Sequence, residues 1–153
     1  MRRKEIAPKG GPGSRLNPLI LGGSKHLPTV YGKPMIHYPL SAVILARIRE
    51  ILIVSIPQYM PVFRQVPGDG SQWGIELAYA EQTESRGRAD ALLVGRKFAD
   101  DDPVPLIYAD NIADESGFPR MLAEADRRPN GAPTFGTRSV LPNDMESPRR
   151  VAL

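Results

Sequence analysis

The 153-residue sequence contains no cysteine, which excludes disulfide scaffolds, thiolate zinc sites, iron–sulfur clusters and cysteine nucleophiles. No apolar run approaches the roughly 20 residues that a membrane-spanning helix needs. The basic residues at positions 2–4 are followed by Glu5 and Pro8 instead of the apolar stretch of an export signal. We therefore expect a cytoplasmic protein without a membrane partner.

Basic and acidic residues nearly balance over most of the chain. The net charge is +3, and residues 1–15 alone carry a net charge of +4, since five basic residues stand against Glu5. The remainder is nearly neutral, whereas proteins that bind nucleic acid usually carry a clustered basic face. No nucleic-acid partner is expected. The positive start suits contact with a phosphate group, and a solvated N-terminal tail is the alternative.

Leu, Ile, Val and Phe make up about a quarter of the residues, which exceeds the ~20% below which chains usually remain disordered. Their spacing predicts strands and helices that alternate along the chain. Strands are predicted at 51–56, 75–80, 104–109 and 132–140, and helices at 34–49, 60–66, 86–98 and 119–128. This order predicts an α/β fold with an open, mostly parallel sheet and helices on both faces.

The domain is predicted to span residues 1–140. Residues 141–153 have no apolar periodicity and contain two prolines, so they are expected to form an irregular tail. Within the domain, Ala89, Leu92 and Leu93 are predicted to face inward from the helix at 86–98. Pro39 is expected to kink the helix at 34–49 or to delay its start.

A glycine-rich turn, Gly10-Gly11-Pro12-Gly13-Ser14-Arg15-Leu16, stands near the start of the chain. Such turns let backbone N–H groups approach phosphate oxygens, and a neighbouring arginine adds a charged contact. The turn matches neither the P-loop pattern nor the Rossmann fingerprint. An ordinary flexible turn is therefore the alternative interpretation.

Two further positions suit phosphate chemistry. Lys25 follows the flexible pair Gly22-Gly23, where it could neutralise a sugar phosphate or lie in solvent. Asp110 and Asn111 follow the predicted strand at 104–109, at the end of a parallel strand where open sheets bind ligands. An aspartate there suits Mg²⁺, which prefers one or two carboxylates with substrate phosphates, and a helix-capping aspartate is the alternative.

The remaining candidates point to structure. His26 and His37 have no second ligand at metal-binding spacing, so both are predicted to be structural. Ser24, Ser41 and Ser55 lack the Gly-x-Ser-x-Gly pattern of serine hydrolases. The aromatic residues near the strand at 75–80 are expected to pack in the core or at its rim.

Together these motifs resemble the glucose-1-phosphate thymidylyltransferases, enzymes that make dTDP-glucose for deoxysugar and polysaccharide synthesis. The resemblance is densest over residues 24–28 and 31–41 and continues through 48–55 and 68–74, and Gly68-Asp69-Gly70-Ser71-Gln72-Trp73-Gly74 is a highly specific match. It extends from residue 4 to about 140, and family members are nearly twice as long. It implies a Rossmann-like sheet of the nucleotide-diphospho-sugar transferase type, truncated at the C-terminal side, and, since the family commonly forms tetramers, a homo-oligomer.

The resemblance also implies roles for individual residues. The triphosphate of dTTP would be bound by Gly10, Gly11, Gly13, Ser14 and Arg15. Gln82 matches the residue that reads the base, and Gly87 matches a glycine of the nucleotide-binding loop. Arg15 and Lys25 would be catalytic, with Lys25 and Asn111 at the sugar phosphate. Asp110 would hold Mg²⁺.

The implied reaction joins dTTP and glucose 1-phosphate to give dTDP-glucose and pyrophosphate. A non-catalytic nucleotide-binding or subunit-interaction protein of the same family is the alternative. The sequence departs from the family at Pro8, where a central strand does not easily accept proline. It departs again where the family's Gly-Leu-Ala-Gln becomes Gly87-Arg88-Ala89-Asp90, which brings charges to the place expected for the base or its sugar.

Overall fold

A computed structural model describes residues 4–8, 29–83, 88–100, 102–109, 111, 117–125, 127 and 131. In chain order the described strands are β1 (Lys4–Pro8), β2 (Thr29–Val30), β3 (Lys33–Pro34), β4 (Glu50–Ser55) and β5 (Glu76–Glu81). The described helices are α1 (His37–Leu45), α2 (Met60–Gln65), α3 (Arg88–Val94), α4 (Arg96–Ala99) and α5 (Phe118–Ala125), with a 3₁₀ turn at Ser71–Trp73.

The described sheet is parallel and has the order β1–β4–β5. Ile6 lies opposite Leu52, and Leu52 lies opposite Ala78. On the other side of β1, a parallel bridge joins Ile6 to Leu106 and adds the 104–109 segment to the sheet. The pair β2–β3 is a separate antiparallel hairpin. The predicted α/β class with a mostly parallel sheet is confirmed.

Strand β4 is buried on both faces. Ile51 and Ile53 belong to one apolar cluster, and Leu52 and Val54 belong to a second cluster on the opposite face. Successive side chains of a strand point to opposite faces, so this alternation places β4 between the two clusters. Its continuous apolar sequence follows from this position, because each face must be covered.

The described helices cover both faces of the sheet, as predicted. Leu40 and Val43 of α1 and Leu122 of α5 pack in the cluster that contains Ile51 and Ile53. Ala91 of α3 is fully buried in the other cluster, beside Ile6 and Leu52. Two layers of helices therefore enclose the sheet.

Helix α1 begins at His37, three residues after the predicted start, because Lys33 and Pro34 form β3. Pro39 is the third residue of α1. The first N–H groups of a helix have no partner within it, so a proline in the first turn removes no helical hydrogen bond. The helix thus starts later than predicted, and Pro39 is accommodated in its first turn.

The predicted inward face of the 86–98 helix is wrong. Leu92 is 42% and Leu93 70% exposed, and Ala89 is also exposed, whereas Ala91 is fully buried. The helix is also interrupted at Gly95, where an added Cβ atom would clash with Ile6 Cδ1. The close approach to β1 admits only small residues, so the small side of the helix faces the sheet.

The predicted strand at 104–109 is reduced to the single bridge at Leu106 among the described residues. Ile6 donates its N–H to the Pro105 carbonyl and accepts from the Ile107 N–H. Pro8, two residues further, faces the same side, since alternate residues of a parallel strand bond to the same neighbour. The missing N–H of Pro8 therefore affects this side and leaves the pairing with β4 intact, which explains how β1 accepts a proline.

Three predictions lie outside the described residues or are not tested by them. The predicted strand at 132–140 and the predicted tail at 141–153 lie outside the described residues. The domain boundary at residue 140 therefore stays a prediction. Within the part of the chain that the structure describes, no helix is long and apolar enough to cross a membrane.

The segment before β5 is held by a compact set of hydrogen bonds. Asp69 Oδ1 accepts from the N–H and the hydroxyl of Ser71, at 2.9 and 2.7 Å. The Tyr79 hydroxyl donates to the Gly68 carbonyl. Gly70 and Gly74, with φ of 83° and 66°, flank the 3₁₀ turn in the left-handed region that favours glycine.

The two glycines form a matched test of packing at this turn. A Cβ atom at Gly70 would lie 2.7 Å from Ile75 Cγ1, whereas one at Gly74 meets nothing within 4 Å. Both alanine variants carry left-handed strain, but only Gly70→Ala also overpacks the core. We expect Gly70→Ala to lower the free energy of unfolding by about 1–3 kcal/mol more than Gly74→Ala does. Equal losses in urea denaturation would contradict the packing argument.

Candidate functional site

The carboxyl ends of the parallel segments meet at one edge of the sheet. β1 ends at Pro8, β4 at Ser55 and β5 at Glu81. Because the 104–109 segment runs parallel to β1, Ala109 lies towards the same edge. Open α/β sheets bind their ligands outside the carboxyl ends of their strands. This edge is therefore the candidate functional site, and its described members are Ser55, Gln82, Asp90 and Asn111.

Gln82 lies directly after β5 and is held at both its backbone and its side chain. Its N–H donates to the Ser55 carbonyl at 2.8 Å, which continues the pairing of β4 with β5. Its side-chain Nε2 donates to Asp90 Oδ2 at 2.7 Å. Gln82 is only 7% exposed, so these hydrogen bonds replace the water that it loses on folding.

Asp90 owes its position to the packing of α3. It lies in the first turn of α3, where the partial positive charge of the helix N-terminus favours a carboxylate. The next residue, Ala91, is fully buried against the sheet. The buried contact of Ala91 therefore fixes the height of α3 over the sheet and brings Asp90 to the side chain of Gln82.

Ser55 presents a buried hydroxyl at the same edge. The residue is 1% exposed, and its Oγ atom has no hydrogen-bond partner among the described residues. A buried hydroxyl without a partner is destabilising, since it has lost its hydrogen bond to water. No sequence signal distinguishes a buried serine hydroxyl of this kind from an exposed one.

The unpartnered hydroxyl leads to a stability test. Ser55→Ala removes it with little change in volume, so we expect the free energy of unfolding to stay constant or to rise by up to ~1 kcal/mol. Chemical denaturation of both proteins measures the difference. A clear loss of stability would instead mean that Oγ has a partner.

Asn111 closes a turn at the end of the fourth parallel segment. Its N–H donates to the Tyr108 carbonyl at 3.0 Å, and its side chain is exposed. Ala109, two residues earlier, is buried at 2% exposure. The structure thus places Asn111 after a buried anchor, on the edge that also carries Gln82.

Most of the predicted site residues lie outside the described residues. These are Gly10, Gly11, Gly13, Ser14, Arg15, Lys25, Gly87 and Asp110. The predicted Mg²⁺ ligand, Asp110, is one of these residues, and within the described part of the chain no three metal-ligating side chains come together.

A separate cavity of about 230 Å³ lies beside α1 and shares no lining residue with the candidate site. The His37 ring meets Trp73 edge-on there, with centroids 5.5 Å apart. His37 Nε2 is buried without a partner among the described residues. Burial, assisted by the charge of Lys33, lowers the pKa of His37 from its ordinary value of 6.5. The predicted structural role of His37 agrees with this packing against an aromatic ring.

The lowered pKa of His37 makes folding sensitive to acid. Below pH ~6.5 the unfolded chain binds a proton on His37 before the folded chain does, so the stability present at neutral pH is lost as the pH falls through the folded pKa. We expect the stability of His37→Asn to fall less than that of the wild type between pH 7 and pH 5. Both proteins retain His26, so the difference isolates His37. Parallel pH profiles of the free energy of unfolding would contradict this account.

Comparison with known proteins agrees with the fold. Residues 5–144 match the family described as "Nucleotidyl transferase". Glucose-1-phosphate thymidylyltransferase of Xanthomonas campestris pv. campestris (strain B100) is 46% identical over 135 residues, which are 88% of this chain and 46% of that protein. The enzyme of the same name from Neisseria gonorrhoeae is 44% identical and covers 88% of this chain and 47% of its own.

The solved structures show the same architecture. A protein from Bacillus anthracis described as a glucose-1-phosphate thymidylyltransferase, in complex with sucrose, superposes with a TM-score of 0.73 at 27% identity. The alignment covers 82% of this chain and 51% of that one. A UDP-glucose pyrophosphorylase from Acinetobacter baumannii shares the fold with a TM-score of 0.68 at 18% identity, over 82% of this chain and 53% of its own. The chain spans about half the length of the curated relatives that it matches.

Proposed function

Because the chain belongs to the nucleotidyl transferase family, we propose that it binds dTTP at the carboxyl edge of its sheet and transfers the thymidylyl group to glucose 1-phosphate. Relatives that are 46% and 42% identical to it, over 88% and 86% of its length, are named glucose-1-phosphate thymidylyltransferase. The observation that carries the proposal is the position of Gln82, the predicted base reader, which lies at this edge with its amide hydrogen-bonded.

The proposed roles follow the positions along the edge. The glycine turn at 10–16 follows β1 in the chain and would surround the triphosphate, with Gly87 beside the base. Arg15 and Lys25 would neutralise the charge that develops on the reacting phosphates. Asn111 lies after the fourth parallel segment and would contact the sugar phosphate. Asp110 would hold Mg²⁺, which supplies further charge neutralisation when bound.

The proposed chemistry depends on positioning. A phosphate oxygen of glucose 1-phosphate attacks the α-phosphorus of dTTP, and the bond from that phosphorus to the bridging oxygen of the β-phosphate breaks. Pyrophosphate leaves, and no covalent enzyme intermediate is needed. The groups at the edge lower the barrier by holding the two phosphates in line and by stabilising negative charge.

A combined binding and turnover assay tests this function. Calorimetric titration with dTTP measures binding, and pyrophosphate release in the presence of Mg²⁺ and glucose 1-phosphate measures transfer. We expect the chain to bind dTTP and to release pyrophosphate. Arg15→Ala should lower turnover by about 10²-fold, since it removes one charged contact that strengthens in the transition state.

Glu76→Gln provides the control, since Glu76 is exposed and begins β5 at the opposite edge of the sheet. Its turnover should equal that of the wild type. Binding of dTTP without pyrophosphate release would support the non-catalytic alternative. Absence of dTTP binding would contradict the proposed function and a nucleotide-binding role, and would leave the subunit-interaction form of the alternative.

A further inference from the structure

The hydrogen bond between Gln82 and Asp90 determines which way the Gln82 amide points. The two ends of the amide differ, because Nε2 only donates and Oε1 only accepts. An ionised carboxylate only accepts, so the amide end that faces Asp90 Oδ2 at 2.7 Å must be the nitrogen. Asp90 therefore leaves Oε1 as the amide atom turned away from it.

Burial makes this orientation difficult to reverse. Gln82 is 7% exposed, and its backbone N–H is tied to Ser55. A flip of the amide would bring Oε1 against the carboxylate, so that two acceptors would meet where one hydrogen bond stood before. Because the Gln82 side chain is buried, water compensates poorly for that contact on its side. The packing of Ala91 keeps Asp90 in place.

The orientation has a consequence for which base can be read. In pairing with one edge of a pyrimidine, an amide accepts from the N3–H of thymine, whereas it must donate to the N3 of cytosine. If the ring occupies the same place, the two bases therefore need opposite orientations of the same amide. An amide held in one orientation, with its second N–H beside its carbonyl, can satisfy only one of them.

We propose that Asp90 is a positioning residue for specificity, which holds the Gln82 amide so that its carbonyl accepts from the imide N–H of thymine and disfavours cytosine. The inference rests on the proposed function, since it takes Gln82 to contact the base. It concerns a residue at which the chain departs from the resembled family, whose motif has glutamine where this chain has Asp90.

The test compares binding of dTTP and dCTP to the 153-residue chain by calorimetric titration. In Asp90→Asn the new amide can donate or accept, so the Gln82 amide is free to flip. We expect the preference for dTTP over dCTP to fall about tenfold in this variant, mainly because dCTP binds more tightly. Asp90→Ala, which keeps a good helix former in α3, should reduce the preference in the same direction.

A control variant separates positioning from a general structural effect. Glu81→Gln removes an exposed carboxylate one residue before Gln82 and should leave the preference unchanged. Thermal unfolding confirms that each variant is folded. If Asp90 had only a structural role, its replacement would weaken the binding of dTTP and dCTP alike. An unchanged ratio of dTTP to dCTP affinity in Asp90→Asn and Asp90→Ala would overturn the inference.

A second measurement distinguishes this inference from the function on which it rests. The side-chain amide resonances of Gln82 in a ¹⁵N-labelled chain report the hydrogen bond to Asp90 without any nucleotide. We expect them to move in Asp90→Asn and not in Glu81→Gln, and resonances that do not move would overturn the proposed orientation. Failure of the wild type to bind either nucleotide would contradict the proposed function and the base preference together. Binding with an unchanged ratio would contradict the inference alone.

Discussion

The burial of β4 on both faces is the constraint on which the rest of the molecule depends. A strand with apolar side chains on both sides needs a helical layer on each, and parallel neighbours need crossover connections that supply those layers. Ile51 and Ile53 pack against α1 and α5 on one face, and Leu52 and Val54 pack against α3 on the other. Parallel pairing then brings the carboxyl ends to one edge, so the location of the site is a consequence of how the core is covered.

The polar contacts at that edge continue the backbone pairing of the sheet. The hydrogen bond from Gln82 to the Ser55 carbonyl is the next contact in the pairing of β4 with β5. Asp90 reaches Gln82 because Ala91 packs against the sheet beside Ile6. A contact between two polar side chains thus depends on an alanine small enough to let the helix approach. In this way packing determines the geometry of the polar groups.

The sequence predicted those features that depend on local pattern. The continuous apolar run at 51–56 and the alternation at 75–80 identify β4 and β5 to within a residue at each end. Helix α3 was predicted with the wrong buried face, since Leu92 and Leu93 are the more hydrophobic residues. What decides its orientation is the close approach of Gly95 to Ile6, a contact between residues far apart in the chain. The hydrophobic periodicity of the sequence cannot predict a contact between residues so far apart.

The candidate site divides in the same way. The placement of Gln82 and Asn111 after strand-like segments followed from pattern and from the family resemblance. The partnership of Gln82 with Asp90 did not, because it joins the end of a strand to a helix across a connection whose path the sequence does not specify. The buried Ser55 hydroxyl, which has no partner among the described residues, was equally hidden, since serine is more often exposed than buried. Burial and hydrogen-bond partners become visible only when the layers are assembled.

The structural cost of a residue that departs from the family pattern depends on the groups that it contacts. Pro8 and Asp90 both conflict with the expected pattern when judged singly. Pro8 turns its missing donor towards the side of β1 that carries one bridge among the described residues, so the pairing with β4 survives. Asp90 meets an amide donor, so its charge stabilises a neighbouring side chain instead of standing unpaired in the site. A substitution that brings charge to a partly buried position costs less when the charge has a hydrogen-bond donor, and here the residue that supplies the donor is the one proposed to read the base.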